Sequence, residues 1–436
     1  MLPSARVVLM LLVAVIVFAA PSQAAGEGTS PFPTRPIDVV VLQGVNLPSF
    51  KNRPVAGFRL YATRGQELTP IPFQIDERDE DGLYVLHAGK MKGEDEDRGL
   101  WDENDELCFL ASDTGPKFSG SLSMPGAILA RELEIRDPLD GSRGYAYLFA
   151  FAAQTPPRSS VDYVRYDPAT DITQTKIFTM GFDPEYRFAI DRIGKAEYRE
   201  ADNPVDILKI RMDATVLGIR LRRTQEDFNS KLGGWIDGPI RVIKYTGMNV
   251  KVVAFIRSPR IWNYTFFYPY SFSYDMGLKT PVEIRTITKK FNLYAGMDFK
   301  GLKGGQIYSS GFPKPYVVSG QPASSELQAI NANNDSNDFF AVYWDGLYWL
   351  SRILIPAEVP LRPNLMVVDD AGAADPPEKH PGQIPGLYFD LTNWENVASK
   401  NFTIRSFVIV TDAFVPGGEK DFFLRQDRPL ELANPG

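Results

Sequence analysis

Cysteine is nearly missing from this chain of 436 residues: Cys108 stands alone, so no disulfide can form within it and packing must supply its stability. Histidine is almost as scarce, with only His87 and His380. Neither has a second histidine at ligand spacing, which argues against a histidine-built zinc or copper centre. No C-x-x-C-H is present for haem attachment. G-x-S-x-G, H-E-x-x-H, the P-loop lysine motif and G-x-G-x-x-G are all missing, which removes common hydrolase, zinc protease and nucleotide-dependent classes. A basic surplus is also lacking. The net charge is −7, so neither nucleic acid nor an anionic membrane is expected as a partner. No haem, nucleotide or zinc is expected as a cofactor.

Long apolar runs are confined to the start. Arg6, then Val7 to Ala20, then Pro21-Ser22-Gln23-Ala24 reads as an export signal of residues 1–24 cleaved after Ala24, with Ser22 and Ala24 as the small residues of the site. The run falls short of the ~20 residues of a comfortable membrane span. The mature chain is therefore expected in the periplasm or outside the cell, with no transmembrane segment after cleavage. With 44% hydrophobic and 23% charged residues, its composition is that of a globular protein.

Alternating and β-branched or aromatic runs recur from Ile37 to Phe414, punctuated by Gly, Pro, Asn and Asp. Sustained helical periodicity is rare, with 324–330 the best short stretch. This patterning predicts an all-β, antiparallel β-sandwich architecture with few short helices. Gln154-Thr-Pro-Pro-Arg-Ser-Ser160 breaks the pattern. It places a smaller N-terminal β-domain at 25–155, carrying acidic loops, and a larger C-terminal β-sandwich at 156–436. An outer-membrane β-barrel is a further alternative, although the loops are long on both sides of many strands.

Two stretches carry candidate chemistry. The first is acidic: Asp79 and Asp81 precede Gly82, and Asp102, Asn104 and Glu106 alternate farther on. Oxygen ligands so spaced on turning loops suit calcium, without the spacing of a twelve-residue EF-hand; a solvated acidic loop is the plainer alternative. The second runs from Ile261 to Tyr274, with an aromatic residue at every even position. On one continuous strand seven rings would share a face, although Pro269 points to two segments. Such a face would either pack on another sheet or form a groove that stacks on sugars. Trp262, Tyr264, Tyr268 and Tyr270, with Asn263 and Arg260, are the candidate substrate-binding residues, and polysaccharide the candidate partner. Glycoside chemistry needs only two carboxylates; Asp275, Asp390 and Glu395 are the acids nearest such roles. Asp345-Gly346 predicts a two-residue hairpin turn with Trp344 opposite Leu347 and Tyr343 opposite Tyr348.

Ile71-Pro-Phe-Gln-Ile-Asp-Glu77 and Asp102-Glu-Asn-Asp-Glu-Leu-Cys-Phe-Leu-Ala111 resemble the N-terminal region of secreted bacterial β-sandwich proteins of uncharacterised function. Together with Gly238-Pro-Ile-Arg-Val-Ile243, they are similar to patterns in galactose-mutarotase-like supersandwich folds. The resemblance implies that fold and carbohydrate processing. The paired histidines of mutarotase chemistry have no counterpart here. The leading expectation is thus an exported protein that binds or processes polysaccharide; the rival is a non-enzymatic structural or surface-assembly protein with calcium-stabilised loops.

Overall fold

The computed structural model describes residues 30–434 except 92, 94, 217, 254–255, 280–282, 310–311, 313, 323, 333–338, 378–379, 381–385 and 399. The expected export signal lies outside the described residues.

The protein is an all-β assembly of antiparallel sheets, as its patterning predicts. Its helices are short: Ile284–Ile287, Ser325–Ala332 and Glu419–Asp427. A first sandwich packs the sheet of Val39–Gln43, Glu106–Leu110 and Gln74–Asp76 on a second sheet. The second orders Glu431–Leu432, Ala127–Arg136, Arg143–Phe151, Phe58–Arg64 and Glu67–Pro70. Phe50, Phe58, Trp101, Phe109 and Leu148 fill the space between them. Residues 431–432 return to the first sandwich, where Leu432 pairs with Ile135.

The larger unit is built on an eleven-stranded sheet whose centre runs through Val242–Val253, Ile261–Phe267, Ser271–Lys279, Asn401–Thr411 and Leu347–Leu354. Its inner face meets two smaller sheets. One has four strands, Arg165–Asp167, Ile172–Gln174, Phe178–Phe182 and Ile190–Lys195. This sheet seats Phe178 on Phe272 and Trp349, and Phe182 on Phe267. The other orders Ile219–Thr224, Val205–Val216, Thr288–Phe299, Leu387–Thr392 and Arg362–Val367. Among the described residues the sheets pack face to face as sandwiches, and none of them closes on itself.

The predicted hairpin forms in its predicted register, Trp344 opposite Leu347 and Tyr343 opposite Tyr348. Asp345 and Gly346 take positive φ of 49° and 79°, as a type I′ turn requires. The stretch 261–274 is two strand segments, as Pro269 indicates, joined by a turn at 268–270 that contains it.

Candidate functional site

The turn at 268–270 decides where the aromatic rings go. Phe267 pairs with Phe272, so the side-chain alternation is out of step between the two strands. Trp262, Tyr264 and Phe266 stand on the outer face of the large sheet, while Phe272 and Tyr274 stand on its inner face. The single face of seven rings that one continuous strand would give does not form, because the strand breaks at Pro269. The outer rings pack against Tyr84 and Leu86 of the first sandwich, with Tyr84 centred 5.5 Å from both Tyr264 and Phe266. Tyr264 is buried and Trp262 half-buried. Asn263 is buried on the inner face and donates to Thr265 at 2.9 Å. Arg260 is exposed beside Met91 and the Tyr245 ring.

The recognisable sequence segments meet at the same seam. Arg241 donates from Nε to Asp76 at 2.7 Å and from Nη2 to Glu106. Arg78 pairs with Glu106 at 2.9 Å, and Gln74 donates to Asp76 at 2.7 Å while accepting from the Arg241 backbone at 2.9 Å. Asp76 is fully buried and Arg241 only 2% exposed. A buried guanidinium with two carboxylates costs much desolvation, and its geometry fixes the register between the two units.

The acidic loops spend their groups locally. Asp79 accepts from the Leu83 backbone at 2.8 Å and Asn104 donates to the Asp79 carbonyl at 3.0 Å. Asp102 accepts from the Asn104 backbone at 3.0 Å, Asp81 is exposed, and Glu106 faces the two arginines. Among the described residues no three His, Cys, Asp or Glu side chains gather as a metal-holding group. Asp105 is pushed up to about 7, chiefly by burial, against two backbone hydrogen bonds and with Asp102 and Glu77 adding repulsion.

The three remaining acids do not meet. On the large sheet's outer face Arg405 donates from Nε to both Asp275 oxygens, at 2.8 and 2.9 Å, and from Nη2 to one of them at 2.5 Å. Asp390 lies opposite Tyr294 on the five-stranded sheet, half-buried and raised by that burial. Glu395 is exposed in the turn Trp394–Asn396. The outer face of the five-stranded sheet also carries a buried charge cluster, with Lys209 on Asp298 at 2.5 Å and Arg211 on Asp375 at 2.9 Å.

What no single segment announces is the space between the sheets. A cavity of about 730 Å³ runs between the large and the five-stranded sheet. Alternate residues of every bordering strand point into it. Leu208, Ile210, Met212, Ala214 and Val216 line one wall, with Phe291, Leu293, Ala295 and Met297 beside them; Met248, Val250, Met276, Leu278 and Ile404 face them. Polar side chains are few, among them Thr288, Ser351, Ser406 and Tyr274. The Tyr274 hydroxyl is spent on the Phe188 carbonyl at 2.5 Å. Ile219 lines the cavity yet is 54% exposed, as is Arg257 to a large degree, which puts an opening at that end. The lining of the Val205–Val216 strand from Leu208 to Val216 covers eight steps of ~3.3 Å, or ~26 Å. The sequence signal for it was the strict alternation in these strands, which a filled core would share.

A second, smaller cavity of about 220 Å³ lies at the seam with the first sandwich. Tyr268 and Tyr270 border it with Arg35, Arg405, Arg425 and Gln426. The buried side-chain amide of Gln426 has no hydrogen-bond partner among the described residues.

No family model and no curated protein matches the sequence. Solved structures do. An alpha-mannosidase from Enterococcus faecalis V583 is similar over 86% of this chain and 45% of its own, at 10% identity and a TM-score of 0.40. A protein assigned as an aldose 1-epimerase from Escherichia coli K12 is similar over 57% of this chain and 98% of its own, at 9% identity and a TM-score of 0.33. An alpha-N-acetylgalactosaminidase from Bifidobacterium bifidum is similar over 59% of this chain and 38% of its own, at 9% and 0.36. The chain spans about half the length of the Enterococcus faecalis proteins it matches. These are similarities of outline, and the substrates named for those proteins stay with them.

Proposed function

We propose that this is an exported binding protein that holds an apolar ligand between its two sheets. The observation that carries the reading is the cavity of about 730 Å³ with its apolar wall. Its volume falls in the ~300–1,000 Å³ range of small-molecule sites. Left to solvent, its apolar wall forfeits the ~25 cal/mol per Å² that burial of such surface contributes. Water is a poor filler, because each molecule needs two to four polar partners and the wall offers few. An apolar occupant removes the deficit. The test is titration of the full chain with the apolar fluorophore N-phenyl-1-naphthylamine. Saturable binding at one site per chain is expected; no binding defeats the reading.

A second reading has its own support. Tyr268 and Tyr270, expected from sequence to stack on sugars, border the smaller cavity beside three arginines and the unpartnered Gln426 amide. A ring next to hydrogen-bonding groups suits a single saccharide unit of a polysaccharide. A glycan and polysaccharide binding screen tests it, with Gln426→Leu expected to abolish any positive result. A screen with no hits rejects it and leaves the apolar site standing.

A further inference from the structure

Resting on the apolar-ligand reading, we propose that the ligand is a neutral single-chain lipid, an alcohol or an ester. Its oxygen seats on Ser351 and Ser406 inside the cavity, and its chain runs toward the Ile219 end.

The cavity offers no counter-ion. Among the described residues that line it, Arg257 alone is charged, and its guanidinium donates to the Asn249 side chain at 2.8 Å. Asn249 stands between Met248 and Val250, which both face the cavity, so that bond lies on the other side of the sheet. Lys244 shares a cross-strand row with Thr265 and Tyr274, but it is outside the lining and donates to Asp171. An ionised head in this space would be a buried charge without a partner. A neutral ligand avoids that cost.

Two hydroxyls of the wall are unspent. Ser351, which is 6% exposed, and Ser406 both line the cavity, and neither side chain makes a hydrogen bond among the described residues. The other lining hydroxyls are engaged. Tyr274 donates to the Phe188 carbonyl, Ser258 accepts from the Val250 backbone at 2.9 Å and donates to the Pro259 carbonyl at 2.8 Å, and Thr288 has a partner. Ser351 pairs with Val408 and Ser406 with Ile353 across the same two strands. The serines are therefore diagonal neighbours, ~7–8 Å apart at the backbone, and a polar group between them is in reach of both. A hydroxyl facing apolar space has given up water for nothing; a ligand oxygen restores the hydrogen bond.

The position of the serines sets the orientation. Ser406 lies opposite Tyr274, and from there the wall runs through Met276 and Leu278 toward Met248, Val250 and Arg257. Tyr274 to Leu278 spans four steps of ~3.3 Å, or ~13 Å, close to the ~15 Å of chain in one leaflet of a ~30 Å bilayer core. The oxygen thus enters first and the end of the chain lies nearest the opening.

The experiment displaces N-phenyl-1-naphthylamine from the full chain with decanol, methyl decanoate, undecane and decanoate at neutral pH. In wild type, decanoate is expected to bind at least tenfold more weakly than methyl decanoate. In Ser351→Ala/Ser406→Ala, decanol, methyl decanoate or both should weaken about tenfold, or ~1.4 kcal/mol, while undecane stays within about twofold and shows that the variant is folded. Whichever weakens more identifies the alcohol or the ester. Decanol and methyl decanoate both unmoved by the double variant, or decanoate as tight as the ester, overturns this inference and leaves the apolar site standing. A probe that binds but yields to none of the four does the same. Failure of the probe and of all four overturns both.

Discussion

Replacing Ala295 by phenylalanine tests the cavity by the sign of a stability change. Ala295 lies in the middle of the Thr288–Phe299 strand with its methyl on the cavity wall, between Ile210 and Phe389 on the neighbouring strands. In a close-packed core an added ring forces neighbours off their rotamers and costs ~1–3 kcal/mol. In a cavity of about 730 Å³ the ring has room, and burying it contributes ~1.5–3 kcal/mol. The ligand-free variant should therefore be more stable by ~2 kcal/mol, which at ~2–4 °C per kcal/mol raises Tm by ~4–8 °C. Ligand response should move the other way. At a free ligand concentration of 100 Kd, wild type gains ~2.7 kcal/mol, and the variant should gain clearly less because the ring occupies the ligand's space. Differential scanning calorimetry of both proteins, with and without N-phenyl-1-naphthylamine, reads the two effects together. A fall in Tm of the ligand-free variant with an undiminished ligand response would refute the reasoning, since it would mean that the strands are already packed where the cavity is drawn.

The buried Arg241 gives a second expectation: Arg241→Ala strands the buried Asp76 without its cation and leaves Glu106 with Arg78 alone, and should cost ~3–5 kcal/mol in urea unfolding. Tyr264→Ala removes a ring from the cluster with Tyr84, Tyr245 and Phe266 and should cost ~3–5 kcal/mol; a loss under ~1 kcal/mol would mean that the outer rings are not packed as described. Asp105 supplies a pH dependence. Its carboxyl is held up at about 7 in the folded chain against ~3.9 unfolded, so the folded state binds more protons between those values and stability falls as pH rises through that window. Asp105→Asn should accordingly gain on wild type from pH 4 to pH 7, as followed by denaturation midpoints, and a constant difference across the window would contradict this.

The parts of the fold legible in the sequence were those set by local chemistry. Asp345-Gly346 needs positive φ at two successive residues, and that requirement alone fixed the hairpin and its pairing. The strand Phe228–Asp237 went unread because Gly233-Gly234 interrupts its side-chain pattern. The structure shows why they are there: a Cβ on Gly234 would stand 2.6 Å from the Ala88 carbonyl oxygen, where the first sandwich adds the strand Ala88–Gly89. The aromatic run was legible in part. Every even position from 262 to 274 is aromatic and Pro269 marks the break between two segments, but periodicity does not say that the turn of three residues changes which face the even positions occupy. The cavity was beyond reach for a related reason. An inward-facing Leu, Ile or Met has the same spacing whether the opposite wall touches it or stands apart, and only the assembled sheets fix that distance.

The last strand has a consequence for how the molecule comes to exist. Glu431–Leu432 completes a sheet begun by Ala127–Arg136, and Asn434 donates to the Glu132 carbonyl at 3.2 Å, 302 residues away in the chain. The strands at 127–151 emerge early during synthesis, but their sheet does not gain the strand at 431–432 until some 300 further residues have been made. Until then an open strand edge waits, of the kind that recruits foreign strands. Closing a loop so long costs only slightly more entropy than closing one half its length; the delay lies in time. Removing residues 427–436 should therefore injure the sandwich built around residues 39–151, whose edge is closed by a strand made some 300 residues later.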